Sequence, residues 1–186
     1  MEFMLKKINF HTHTKRCKHA KGEDKDYIDA AIKNNLDILG FSDHGPYPDN
    51  RFNLRMNFNE LEEYKTTLEK LKIKLKNFIQ IKIGLEIEYL PSDDFYYNYL
   101  KNELKFDYLA LGQHLFLTEN GELKNTYSLK STKEYIEYAK SICLGIKSVK
   151  TIINSDCHTP YDLWDNTMDY AYTLANNLNL NIIDNI

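Results

Sequence analysis

Residues 8–13 have the sequence INFHTH, an apolar run that ends in two histidines. Side chains of a strand alternate between its two faces, so His11 and His13 point to the same side. Neutral imidazole is the commonest metal ligand among protein side chains. The stretch therefore predicts a buried strand that presents two ligands to one metal site.

The remaining histidines follow similar apolar runs or lie close to them. The run ILGFSDH ends at His44, LALGQH ends at His114 and INSDCH ends at His158, while His19 follows shortly after the first run. Each histidine alone has an ordinary packing or surface explanation. Their joint position at the ends of several strand-like runs instead predicts a multinuclear metal centre.

Two carboxylates lie among these histidines. Asp156 and His158 repeat the alternating geometry of the first run, and Glu86 in GLEIEY supplies a carboxylate able to bridge two metals. Mixed histidine and carboxylate ligands suit Zn, Fe or Mn rather than Ca or Mg. The sequence therefore favours a transition-metal site.

The order of apolar and amphipathic stretches predicts an α/β fold. Strands are expected over residues 6–13, 37–44, 78–90, 106–117 and 149–158, with a short terminal strand over 181–186. Helices are expected over residues 23–36, 57–76, 92–104, 131–146 and 162–180, with Asn57 or Asn59 and Ser131 or Thr132 as N-caps. Near-continuous apolar strands between helices indicate a parallel sheet with helices outside, within a single domain over residues 1–186. The metal-type residues then lie at the carboxyl ends of the strands, where a (β/α) barrel has its active site.

Bulk composition restricts the partners and the compartment. A net charge of -3 with a pI near 6.1 argues against nucleic-acid binding. Three cysteines, Cys17, Cys143 and Cys157, do not form a disulfide framework and favour a reducing compartment. The sequence shows no signal peptide or transmembrane run, so we expect a cytoplasmic protein without a membrane partner.

The combined motifs resemble one superfamily. HxH, SDH, GLExEY, DYLxLGQH and SDxH together are similar to the PHP (polymerase and histidinol phosphatase) superfamily, and RMNFNELEEY and GLEIEYLP are typical of its histidinol-phosphate phosphatase branch. The resemblance covers nearly the whole chain. It implies a distorted (β/α) barrel with a trinuclear metal centre, and hydrolysis of a phosphomonoester by a metal-activated hydroxide, as in histidine biosynthesis.

The resemblance also implies a ligand set. One metal would be held by His11, His13, Glu86 and Asp156, a second by Glu86 and His114, and a third by His19, His44 and His158. Asp156, His13 and Glu86 are the implied catalytic residues, with Asp156 positioning the hydroxide. The cofactors would be two to three Zn, Fe or Mn ions.

One part of the superfamily pattern is missing. A further histidine in an HPD word is expected between the GQH and SDxH strands, and this chain has none. A βαβ unit takes roughly 30 residues, so the span from His114 to Asp156 cannot contain the missing units. We therefore expect a shortened barrel with about five or six parallel strands instead of seven, and a weakened second metal site.

The missing segment affects substrate binding and assembly. The arginine that the superfamily carries there is absent, which leaves Arg16, near His13, and Arg51 or Arg55 as phosphate ligands, and Tyr47 as a substrate contact. For Arg51 and Arg55 a solvated loop charge is an equally good interpretation. An uncovered sheet edge would favour a homodimer or higher oligomer with an interface around residues 114–156.

Three functions remain open from the sequence. The first is a metal-dependent phosphatase of the histidinol-phosphatase type that acts on a small phosphorylated substrate. The second is a phosphoesterase of other specificity, such as a phosphotyrosine phosphatase or a nuclease. The third is a non-catalytic metal-binding remnant that has lost two βα units.

Overall fold

The computed structural model describes residues 6–112, 114–118, 120–134, 138 and 153–177. Its main sheet has four parallel strands in the order β1-β2-β3-β4. These strands are β1 (Ile8–Asn9), β2 (Ile38–Phe41), β3 (Gln80–Ile87) and β4 (Tyr108–Leu111). Every residue of β2 is buried, which is typical of a strand in a parallel sheet covered on both faces. This curled sheet with its helices agrees with the predicted shortened barrel, with four parallel strands among the described residues where five or six were expected.

The helices follow the predicted stretches with shorter bounds. They are α1 (Asp24–Lys33), α2 (Leu61–Leu75), α3 (Asp94–Asn98, continued by a π turn over Tyr99–Glu103) and α4 (Asn166–Asn177). The prediction of Asn57 as a cap is confirmed, because its backbone N–H donates to the Glu60 side chain in a capping box at 2.6 Å. Leu61, Tyr64 and Leu68 form the buried face of α2. No helix among the described residues is long and apolar enough to cross a membrane.

The predicted strand over 106–117 is wrong in its second half. The chain turns after β4, and residues Leu115–Leu117 (β5) pair antiparallel with Leu123–Asn125 (β6). The turn is closed by the backbone N–H of His114, which donates to the Gly112 carbonyl at 2.8 Å. A period-two apolar pattern does not distinguish one long strand from two short strands separated by a turn.

The predicted strand over 149–158 is described only from residue 153. Of that part, Cys157 alone forms a bridge, parallel to Thr12 beyond β1. Asp156 has a positive φ of 46°, so the chain is not extended there. Most of the predicted helix over 131–146 and the terminal strand over 181–186 lie outside the described residues.

The ring of Tyr108 ties the sheet together on one face. It lies across Gly84 of β3 and Gly40 of β2, at positions where any Cβ would overlap it. Its hydroxyl lies 2.7 Å from the Phe10 carbonyl and 2.9 Å from the Phe41 carbonyl, each of which can accept from it. One side chain from β4 therefore reaches the backbone beside β1 and β2.

Candidate metal centre

The predicted ligands meet beyond the carboxyl ends of the parallel strands. His11 and His13 follow β1, His44 follows β2, and Glu86 lies near the end of β3. His44 and Glu86 are bridge partners on neighbouring strands. The pairing of Thr12 with Cys157 brings the flanking Asp156 and His158 to the same place. Their common position follows from parallel strand order, because parallel strands end at one edge.

Glu86 lies at the centre of this group. Its Oε2 is 3.2 Å from His11 Nε2, 3.2 Å from His13 Nε2 and 3.0 Å from His44 Nδ1. Asp156 Oδ1 is 3.2 Å from His11 Nε2 and 3.1 Å from His13 Nε2. Two carboxylates therefore contact the same pair of imidazoles.

The buried atoms at this centre lie 3.0–3.2 Å apart, but no hydrogen bond of acceptable geometry joins them to one another or to any other described residue. They are His11 Nε2, His13 Nε2, His44 Nδ1 and Glu86 Oε2. Buried polar atoms are nearly always satisfied, so four unsatisfied atoms in one place require an explanation. A cation bound among them would satisfy all four, and imidazole and carboxylate are suitable ligands for one. The residues therefore fit a transition metal.

His19 and His158 form a second converging pair. His19 Nδ1 lies 2.7 Å from the Cys17 carbonyl, and His158 Nδ1 lies 2.9 Å from the Asp156 carbonyl. A carbonyl only accepts, so both Nδ1 atoms donate. The two Nε2 atoms then face each other at 2.9 Å, an arrangement that needs a proton or a cation between them.

His44 lies between the two groups. Its ring centroid is 5.3 Å from that of His19, while its Nδ1 faces Glu86. Four sets of ligand atoms among the described residues lie close enough together to share one ion, and each contains His13 or His44: His13, His44 and His158; His11, His13 and Asp156; His13, Cys17 and Asp43; His44, Glu86 and His114. The structure thus brings all eight predicted ligands together, and it offers His44 to more than one set.

The charges at this centre shift several pKa values. Burial opposes ionisation of Glu86, but the contacts from His11, His13 and His44 outweigh it and hold its pKa well below the usual range. Burial also lowers the pKa of His13, yet Asp156 and Glu86 together raise it to about 9. For His44, burial dominates and its pKa is lowered. In the metal-free protein, His13 therefore stays protonated to a higher pH than His44 does.

The buried Cys17 contacts His13 through Nδ1, the ring nitrogen that does not face Glu86. Cys17 Sγ lies 3.3 Å from His13 Nδ1 and donates to Asp43 Oδ1 at 3.0 Å. The Asp43 carboxylate also accepts from the backbone N–H and the hydroxyl of Thr14. Burial and the nearby Asp43 raise the pKa of the Cys17 thiol well above its ordinary value, so it remains neutral. Cys17 is buried beside the site and contacts a predicted ligand.

A cavity of about 390 Å³ opens over the cluster. Two arginines line it together with His44, His114 and Asp156. Arg55 is buried and donates to the Gly45 carbonyl at 2.9 Å, whereas Arg51 donates to Asp93 at 2.9 Å and lies over the ring of Tyr47. Pockets of this volume suit small organic ligands.

Two predicted substrate contacts are placed elsewhere. Arg16 forms a two-pronged ion pair with Asp24 and lies over the ring of Tyr64, outside the residues that line the cavity. Tyr47 is fully buried, and its hydroxyl donates to the Glu88 carbonyl at 2.8 Å. Both residues were predicted because they lie close along the chain to His13 and His44. In the structure, Arg16 binds Asp24 and the Tyr47 hydroxyl binds the Glu88 carbonyl, and neither residue lines the cavity.

Sequence reasoning missed Glu88. This carboxylate is buried, lines the cavity and contacts His114 through both oxygens. The signal was present, because Glu86 and Glu88 are two positions apart in the strand predicted over residues 78–90, where alternate side chains share a face.

The chain was compared with known proteins. The family model named PHP domain matches residues 9–185. A Deinococcus radiodurans protein named "Probable histidinol-phosphatase" is 28% identical over 107 residues, which make up 56% of this chain and 40% of that protein.

Two solved structures share the fold. The zinc, L-histidinol and phosphate complex of the Lactococcus lactis histidinol phosphate phosphatase matches with a TM-score of 0.56 at 23% identity, over 76% of this chain and 52% of that one. A candidate histidinol phosphatase of Listeria monocytogenes matches with a TM-score of 0.55 at 23% identity, over 70% of this chain and 52% of that one. The chain thus spans about half the length of these solved relatives. Because the PHP family match extends over residues 9–185, this chain belongs to the PHP family.

Proposed function

We propose that this protein binds two or three transition-metal ions and hydrolyses a small phosphomonoester, with histidinol phosphate as the first candidate substrate. The observation that carries the proposal is the convergence of His11, His13 and His44 nitrogens on Glu86 Oε2 at 3.0–3.2 Å. The same atoms are buried and lack hydrogen-bond partners among the described residues. A cluster of this kind beside a cavity is suited to metal-assisted hydrolysis.

The metal ligands are proposed as three sets. His11, His13, Glu86 and Asp156 hold one ion; Glu86 and His114 hold a second, with His44 within reach; His19 and His158, again with His44, hold a third. His44 thereby offers a substitute for the ligand that the sequence lacks. Bound ions of this type would neutralise phosphoryl oxygens and make water acidic enough to attack at neutral pH.

The side chains around the ions have distinct proposed tasks. Asp156 has an exposed carboxylate that lines the cavity, so it is placed to orient the attacking water and take its proton. Glu86 and His13 are buried and hold the charge of the centre in place. Arg51 and Arg55, which also line the cavity, supply the positive side chains that bind and orient the phosphate.

The choice of substrate rests on the relatives and on the size of the cavity. The Lactococcus lactis relative was solved with zinc, L-histidinol and phosphate. A cavity of about 390 Å³ leaves room for a small molecule. We further propose a cytoplasmic location, which the free and buried Cys17 and Cys157 support.

The test combines metal analysis with a substrate panel. Protein purified without chelator is assayed for bound Zn, Fe and Mn, then for turnover of histidinol phosphate, phosphotyrosine, an aryl phosphate and single-stranded DNA. We expect bound metal and hydrolysis of histidinol phosphate, and a loss of at least about a hundredfold in Asp156→Ala and in His13→Ala. The control is Asp29→Ala, which removes an exposed carboxylate of α1.

Three results would contradict the proposal. Turnover that survives both replacements would belong to a contaminant. Bound metal without turnover of any phosphoester would favour the non-catalytic metal-binding protein. Preference for phosphotyrosine or DNA would replace the substrate while keeping the chemistry.

A further inference from the structure

We propose that Glu88 is a positioning residue that fixes His114 as a metal ligand, an inference that rests on the metal-dependent function proposed above. Glu88 is nearly inaccessible to solvent, with 2% of its surface exposed. Its carboxylate lies behind His114, on the side away from Glu86. It would act through the imidazole of His114 and not as a ligand of the ion itself.

Three hydrogen bonds join Glu88 to the residues it would hold. Oε2 accepts from the backbone N–H of His114 at 2.7 Å and from that of Leu115 at 2.9 Å. Oε1 lies 3.0 Å from His114 Nδ1. One carboxylate therefore fixes both the backbone and the ring of the same residue.

The contact with Glu88 determines which ring nitrogen of His114 is available to bind a metal. A carboxylate accepts, so the Nδ1–H of His114 donates to Glu88 and the lone pair of Nε2 stays free. That Nε2 points toward Glu86, at 3.9 Å from its Oε1. Histidines that bind metals commonly donate their other ring nitrogen to a carboxylate, which sets the tautomer and the ring orientation.

His114 needs such support more than the other histidines. It follows β4 at the turn into the β5–β6 hairpin, and 34% of its side chain is exposed. His13, by contrast, is fully buried. Among the described residues, the ring of His114 contacts His44 edge-on at 5.5 Å and stacks on Tyr127 at 6.3 Å, and Tyr127 is itself 85% exposed. Without Glu88, His114 would be free to turn toward solvent.

Glu86 and Glu88 contact different histidines because of their positions along the chain. Glu86 lies near the end of β3 and Glu88 one residue beyond it, with roughly 6.6 Å between the two positions along an extended chain. The first reaches the histidines of β1 and β2, and the second reaches the turn after β4. Arg55 Nη2 lies 3.8 Å from Glu88 Oε1 and adds a positive charge on its other side.

The test measures Zn²⁺ binding to the full chain, by competition with a colorimetric chelator, without reference to turnover. In Glu88→Gln the amide oxygen can still accept from the two backbone N–H groups, but the contact with Nδ1 is altered. We expect one zinc equivalent to bind about 10- to 100-fold more weakly and the others to be unchanged. The matched control, Glu62→Gln, removes one negative charge from an exposed position of α2 and should bind zinc as the wild type does.

A double-variant comparison separates positioning from general stabilisation. His114→Ala should lose the same zinc equivalent, and adding Glu88→Gln to it should cause no further loss. A further loss in the double variant would overturn the proposal, as would zinc binding by Glu88→Gln equal to that of Glu62→Gln. Equal weakening of all equivalents, with a lower melting temperature of the metal-free protein, would also overturn it, because that is the effect of a merely structural residue.

A second variant covers a failure to fold, and turnover of the wild type separates this proposal from the proposed function. If Glu88→Gln fails to fold, as judged by circular dichroism, Glu88→Asp keeps the charge but draws it back from Nδ1, and the same selective weakening is expected. Wild-type protein that binds zinc without hydrolysing any phosphoester would overturn the proposed function and leave this result standing. An active wild type with an unaffected Glu88→Gln would do the reverse.

Discussion

Gly112 leaves room for the carboxylate at the centre of the site. A Cβ at this position would overlap the Glu86 side chain, with Oε1 as its nearest atom. We therefore expect Gly112→Ala to push Glu86 away from its histidines. Zinc affinity should fall at least about tenfold, and overpacking should destabilise the fold by about 1–3 kcal/mol.

Zinc titration and denaturant unfolding measure the two effects of Gly112→Ala. The control is Gly121→Asn, because no atom lies within 4 Å of a Cβ there and asparagine tolerates its φ of 78°. Wild-type zinc affinity in Gly112→Ala would show that Glu86 has more freedom than this packing implies.

The four parallel strands depend on a contact that spans the sheet. Tyr108 of β4 crosses Gly84 and Gly40, and its hydroxyl approaches the carbonyls of Phe10 and Phe41. Tyr108→Phe keeps the ring and removes the donor from both carbonyls. We expect a loss of about 1–2 kcal/mol in the free energy of unfolding, because a buried acceptor is left without its partner.

Urea unfolding followed by circular dichroism tests the Tyr108→Phe prediction. Tyr170→Phe is the matched control, since Tyr170 lies in α4 with 67% of its surface exposed. If both variants unfold at the same urea concentration, the Tyr108 hydroxyl does not hold the strands together.

At the scale of the whole molecule, the main sheet ends at β4 as far as the described residues show. Among the described strands, β4 pairs with β3 alone. Leu111, Leu117, Leu123 and Tyr127 expose apolar surface at β4 and the hairpin, with Leu117 at 39% and Leu123 at 44%. We predict a homodimer or higher oligomer whose interface includes the region around residues 114–156, because two-fold pairing would cover this surface. Part of that region lies outside the described residues.

Sedimentation velocity at micromolar concentration tests the assembly. Leu117→Lys should shift the protein toward monomer, whereas Ile73→Lys, at an exposed position of α2, should not. A monomeric wild type would refute the assembly and leave the metal centre unaffected.

Several features of this protein were predictable from the sequence because they depend on local or repeating geometry. The apolar runs predicted the positions of β1 to β4, and β2 shows the reason most clearly, since a strand buried on both faces must be apolar along its length. The position of His11, His44 and His114 after such runs already predicted one cluster, because parallel strands end at a common edge. The cap at Asn57 likewise depends on residues within one turn.

The tertiary structure decided the features that depend on competition between partners distant in sequence. Arg16 was available to a phosphate or to Asp24, and the approach of α1 settled it in favour of the ion pair. His44 lies within reach of both groups of ligands only because β2 pairs with β3 in this register. The turn after β4 placed His114 against Glu88, two residues that the sequence separates by an entire helix. Such contacts depend on where the backbone turns and on which partner is nearest, and neither is contained in the periodicity of a single segment.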